Sequence, residues 1–376
     1  PEQVEVVVTR IVEQIQEREV EVPVEVEVEV TRVVTEVTTE TVVEEVMVEE
    51  APLGSEERPI KMLFVPSVDN DAVVAGGELM AEELKNVTGL NFEVSVPTSY
   101  AATIEAMCAS PDDTIGFIPG LGYVLANQRC GVQAGNKAVR FGWPVYWAQI
   151  VVRNDSGIET VEDLEGKTWG APSVTSTSGF LAPNVLLTEA GITPGEIVET
   201  GGHTNAMLAV AQGDVDFATG FFSPPLLPNF ERTWDPESDD PELWRELGLP
   251  AERIDGRTFV GGDPSEGGYR LLDARASAQD TYPEIFEETR ILTISDAIPN
   301  DTISFGPGFP VNLNQQIVKA LAEYVGSDAC TDPPEGVTTF CSDAAYGWTG
   351  AEPTTDAEYD IVRAMIEAAG LTDEDI

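Results

Sequence analysis

Histidine and lysine are nearly missing from this 376-residue chain, which has one histidine and twenty lysines and arginines together. A zinc site draws on several cysteine, histidine or carboxylate ligands at recognisable spacings. With His203 alone and no Cys-x-x-Cys among four cysteines, no metal site is expected. The scarcity of cations leaves a formal charge of -47, which disfavours nucleic acid and anionic lipid as partners, both being polyanions. Long apolar runs are absent too, so no membrane-spanning helix is expected. The 42% of apolar residues still supports sizeable cores. No Gly-x-Ser-x-Gly elbow, Walker loop or His/carboxylate cluster occurs, so common hydrolase and nucleotide chemistries have no local signature. No cofactor is expected. A Ser–His pair keeps a hydrolase as the lesser alternative. The chain opens at Pro1 inside a polar pattern without a signal peptide. It reads as a trimmed precursor, which leaves room for a lipid anchor through the missing N-terminus.

What is present first is a Val/Glu-rich segment. Residues 1–50 hold 18 Val and 15 Glu, with no aromatic residue. Val/Glu alternation gives one apolar face to an extended strand. Self-repulsion suits a stalk or linker over residues 1–57, and pairing of an amphipathic segment with another copy is the alternative. From residue 60 the pattern changes to strand and helix in alternation. Strands are expected at 60–65, 92–96, 114–118 and 146–153, and helices at 75–86, 100–109 and 122–128. A second series places strands near 168–170, 215–219 and 291–295, and helices at 178–190 and 204–212. Three helices close the chain: 314–325, around 343–346, and 357–369. Such alternation argues for open, mostly parallel α/β sheets with ligands at strand C-terminal ends. Residues 229–268, rich in Asp, Glu, Pro and Gly, read as a surface insertion.

The cysteines fall as two local pairs, Cys108 with Cys130 and Cys330 with Cys341. They are disulfide candidates for an oxidising compartment. Sequence alone allows three connectivities, and four free thiols are the alternative.

Three segments carry chemistry. Ala171-Pro-Ser-Val-Thr-Ser-Thr-Ser-Gly-Phe180 lies between a strand and a helix. Ser176, Thr177 and Ser178 would stand at the helix start, where unpaired N–H groups and the dipole favour an anion. Simple helix capping is the competing explanation. His203 follows a Gly-Gly pair at the start of the next helix. It would either donate to an oxyanion or bond to nearby backbone. Asp301, in Ile298-Pro-Asn-Asp301, sits where the chain would recross between sheets. A carboxylate beside an anion needs a shared proton or cation, and a plain turn role is the alternative.

Together these segments resemble the phosphonate/phosphite/phosphate-binding proteins of ABC importers, over residues 60–370 with a break at 229–268. The run Asp155 to Trp169, then Ser-Thr-Ser-Gly, Gly-His and Gly-Asp-Val-Asp carries the resemblance. It implies a two-lobed α/β periplasmic-binding fold of type II. Lobe 1 would be 58–145 with 296–376, and lobe 2 would be 146–295. It implies an extracytoplasmic protein that captures a small phosphorus oxyanion between the lobes and delivers it to an ABC permease. It also implies ligand-binding roles for Ser176, Thr177, Ser178, His203, Tyr100, Tyr146 and Asp301. Aminophosphonate binders place a Glu after the Val-Asp strand, whereas this chain has Ser223 there, which favours a smaller or uncharged substituent. A sulfonate or thiamine-precursor-like ligand on the same fold is the alternative. Fixed dipoles and hydroxyls are expected to supply the local field for the anion.

Overall fold

The computed structural model describes residues 11–23, 37–334, 336–342 and 346–371, with backbone alone for 11–23 and 37–49. The chain divides into two units, Pro1–Arg58 and Pro59–Ile376. In the first, where most of the Val/Glu alternation, in residues 24–30, lies outside the described residues, two 13-residue strands form, Ile11–Pro23 and Val37–Glu49. They pair antiparallel within one chain, from Ile11 opposite Glu49 to Pro23 opposite Val37. The β-branched residues Val, Ile and Thr recur along the two strands and suit such a pleated pair.

The second unit holds two six-stranded sheets. In the first sheet the order is Trp348–Pro353, Gln133–Arg140, Thr302–Phe305, Thr114–Ile118, Ile60–Phe64, Phe92–Ser95. Ile60–Phe64 pairs parallel with both of its neighbours, as strand–helix–strand connections require. Thr302–Phe305 enters antiparallel between Thr114–Ile118 and Gln133–Arg140. The second sheet runs Thr289–Ile294, Val145–Arg153, Phe217–Phe222, Trp169–Ala171, Ile197–Glu199, and Ile298–Pro299 also pairs with Val145–Tyr146. Both sheets are mixed and not mostly parallel. The cause is the chain path: it crosses between sheets near residues 141–145 and 295–301, so the incoming strands arrive from the opposite end.

Aromatic packing fixes the first sheet. Phe64 stacks on Phe117 at 4.3 Å, and Phe340 joins them at 4.9 Å from Phe64. The disulfide Cys108–Cys130 ties helix Tyr100–Ala109 to helix Gly120–Cys130, and Cys330–Cys341 closes a short loop beside Phe340. Each contributes about 3 kcal/mol by restricting the unfolded chain. Residues 229–268 are more than a surface loop. Ala251–Ile254, Arg257–Val260 and Tyr269–Leu271 make a three-stranded sheet, and Trp234 and Trp244 are buried. The helix expected near 343–346 falls largely outside the described residues.

Candidate functional site

The Ser-Thr-Ser segment follows strand Trp169–Ala171. Pro172 breaks the strand, and Ser176 takes an extended conformation (φ -88°, ψ 130°) as the N-cap. Its Oγ accepts the Gly179 N–H at 3.1 Å. Residues Thr177–Leu181 form one wide π turn before helix Ala182–Glu189. A Cβ at Gly179 would stand 2.6 Å from Pro172, so the tight turn needs glycine here. The N–H groups of Thr177 and Ser178 have no acceptor among the described residues. Helix His203–Gln212 begins at Gly202, whose φ of 156° lets the backbone approach the other lobe. The His203 N–H crosses the cleft to donate to the Ser67 carbonyl at 3.0 Å.

These elements meet around a small cavity of about 20 Å³. Ser176, Ser178, His203 and Tyr146 line it from one lobe, and Tyr100 and Asp301 from the other and the crossing. Thr177 does not line it. Its Oγ1 instead accepts the Leu121 N–H at 2.8 Å, capping the first turn of helix Gly120–Cys130 across the cleft. Three further polar or aromatic side chains complete the walls: Ser67, Arg140 and Phe221.

Burial decides the charge of most of these groups. Tyr100 is held well above the ordinary tyrosine range by burial, despite a hydrogen bond with Ser176. Burial likewise raises Tyr146, whose hydroxyl meets Ser178 and Thr177. Both therefore present neutral O–H groups. His203 is pushed down to about 3 by burial, aided by Arg140, so its ring is neutral and its Nδ1 finds no protein partner. Burial raises the Asp301 carboxyl, and Arg140 opposes that shift. Arg140 brings the cavity its guanidinium. It lies 5.3 Å from the Phe221 ring and 5.9 Å from the Tyr346 ring, and its buried Nε has no hydrogen-bond partner.

Sequence reading passed over Arg140, Ser67 and Phe221. Arg140 ends a polar strand, Gln-Ala-Gly-Asn-Lys-Ala-Val-Arg, that carries no alternating pattern. Ser67 lies in the Pro-Ser loop after the first strand, and Phe221 in the Gly-Phe-Phe-Ser stretch. Ser67 follows the end of one strand and Phe221 lies near the end of another, and that position was their signal.

Two sheets joined by two crossings, with a polar cavity between them, define a two-lobed binding protein of the periplasmic type. Residues 62–359 match the family described as ABC transporter, phosphonate, periplasmic substrate-binding protein. The chain belongs to that family and is extracytoplasmic, a setting that suits its two disulfides. It is 24% identical over 287 residues to the phosphate-import protein PhnD of Mycolicibacterium smegmatis, covering 72% of this chain and 87% of that one. The binding-protein component of an ABC phosphonate transporter from Pseudomonas aeruginosa shares the fold at TM-score 0.58 and 16% identity, over 83% of this chain and 87% of that one. PhnD1 of Prochlorococcus marinus, solved with methylphosphonate, shares it at TM-score 0.57 and 12% identity, over 83% and 98%. Among the described residues no helix is long and apolar enough to cross a membrane.

Proposed function

We propose that this chain captures a small phosphorus oxyanion (phosphonate, phosphite or phosphate) in the interlobe cavity and passes it to the membrane permease of an ABC importer. The observation that carries this reading is the company of donors around one small space. Ser178, whose N–H has no acceptor among the described residues, stands beside the buried hydroxyls of Ser176, Tyr100 and Tyr146 and the Arg140 guanidinium. Hydrogen bonds to an ionised partner contribute about 1.5–3 kcal/mol each. Four or five of them, less the costs of association and closure, support micromolar affinity, near -8 kcal/mol.

Asp301 sets the protonation of the ligand. A fully deprotonated anion would face a buried carboxylate, whereas a P–OH can donate to it. Phosphorus oxyanions carry such a proton near neutral pH, and sulfonates and sulfate do not. The site holds and releases its ligand unchanged: Ser176 Oγ is engaged by Gly179, and His203, held at about 3, is too weak a base to activate a serine. Calorimetry with phosphite, methylphosphonate, phosphate, taurine and sulfate tests this. Binding of at least one phosphorus ligand, with the sulfur ligands weaker by about tenfold or more, is expected. Taurine or sulfate binding as tightly would overturn the proposal.

A further inference from the structure

The small cavity has a larger neighbour. A second space of about 350 Å³ lies behind Val68, Arg140 and Phe221, side chains that line both. The smaller space is comparable to the volume one water needs, on the order of 10–15 Å³, whereas the larger reaches the range of about 300–1,000 Å³ usual for ligand pockets. Its far wall comes from the three-stranded sheet within residues 251–271, through Arg253 and Thr258, and from Ala276 and Ser277.

We infer that this second chamber receives an uncharged, hydroxylated substituent carried by the phosphorus ligand, with Arg140 and Phe221 at the junction. The inference rests on the oxyanion reading of the small cavity.

Charge balance supplies the chemical class. Asp280 is bound by Arg253 through two hydrogen bonds of 3.1 and 2.9 Å. Asp273 is bound by the buried Arg275, and Asp69 accepts the Ala72 N–H as a helix cap. Guanidinium groups answer Asp280 and Asp273, and Asp69 is solvent-exposed, so no buried, unpaired carboxylate awaits an ammonium substituent. Hydroxyls are present instead: Thr204 donates to Ser277 at 2.9 Å on the chamber wall and Ser277 donates to the Ala274 carbonyl at 2.7 Å, and both oxygens keep lone pairs that can accept from a ligand hydroxyl. At the junction, the buried Arg140 Nε has no acceptor, and an oxygen joining phosphorus to its substituent would supply one. The partition is an arginine over a phenylalanine ring, a stacked pair that can part without breaking a hydrogen bond.

The experiment is calorimetry on the full chain with methylphosphonate, glycerol 3-phosphate and 2-aminoethylphosphonate, repeated on Ala276→Phe and Ser277→Leu. Each substitution fills the chamber from the same loop, and either alone suffices if the other fails to fold. The wild type is expected to bind glycerol 3-phosphate at least as tightly as methylphosphonate. Filling the chamber should weaken glycerol 3-phosphate by about tenfold or more and leave methylphosphonate within about twofold. If methylphosphonate binds and glycerol 3-phosphate does not, the chamber assignment falls and the oxyanion site stands. Glycerol 3-phosphate binding that both filled variants retain also overturns it, as does tighter binding of 2-aminoethylphosphonate than of glycerol 3-phosphate. If none of the phosphorus ligands binds, the oxyanion reading falls and the chamber with it.

Discussion

A guanidinium packed near aromatic rings sheds part of its water and still aims its N–H donors. Arg140 is in that position, with Phe221 and Tyr346 flanking it and Asp301 exerting an opposite field. Its interaction with an anion is therefore strong relative to a surface arginine. Arg140→Gln keeps a polar donor and removes the charge. It should weaken phosphonate or phosphite binding by about thirtyfold, the equivalent of about 2 kcal/mol. Unchanged affinity by calorimetry would place the anion elsewhere. His203 offers a prediction in stability. Its folded value, about 3, lies below the ordinary 6.5, so the folded state binds fewer protons than the unfolded state. The stabilising difference is then complete above pH 6.5 and is lost as pH falls from there through about 3. His203→Gln removes this titration. Urea unfolding of both proteins across that window should show wild type losing stability faster on acidification, and parallel curves would contradict it.

Among the elements, the turn Thr177–Leu181 does two things at once. It leaves the N–H of Ser178, a cavity-lining residue, without an acceptor among the described residues, and through Thr177 Oγ1 it caps a helix of the facing lobe. Thr177 is thus a latch between lobes, and not a wall of the cavity. Thr177→Val preserves shape and removes the acceptor. Losing one such bond, about 1 kcal/mol, should speed ligand dissociation about fivefold in stopped-flow measurements and leave association nearly unchanged. Slower association with unchanged dissociation would argue against a latch. Sequence showed the turn because a serine/threonine run between strand and helix is a local feature. It did not separate Thr177 from Ser176 and Ser178, since which hydroxyl faces the other lobe depends on tertiary packing. Apolar runs such as Ile115–Ile118 and Tyr146–Val152 announced their strands. Gln133–Arg140 did not, because its strand form is imposed by pairing on both sides, with Thr302–Phe305 and Trp348–Pro353. Arg140 was hidden for the same reason: a charged residue at the end of a strand that the local pattern does not reveal. The tryptophans of residues 229–268 were equally hard to place. Trp234 packs 5.4 Å from Trp147, a contact between residues far apart in sequence and set in an acidic, proline-rich segment.

At the scale of the whole molecule, a chain of formal charge -47 must admit an anion to a cavity lined by one guanidinium. The two influences act over different distances. Arg140 is half-buried with its Nε enclosed, and it acts at short range on a ligand already inside the cleft. The surface charge acts on an approaching ligand through solvent, over about 30 Å at 0.01 M salt but only about 8 Å at 0.15 M. Raising salt across that interval should therefore quicken association, by about two- to fivefold, by screening the repulsion. Dissociation from the closed cavity should change little, because buried contacts are screened far less than exposed ones. Affinity then improves with salt, the reverse of the usual behaviour of an anion-binding protein with a basic entrance. Stopped-flow tryptophan fluorescence gives both rates, with Trp143 and Trp147 near the crossing as natural reporters. An association rate that falls as salt rises would mean that the mouth of the cleft carries a positive field strong enough to outweigh the acidic surface.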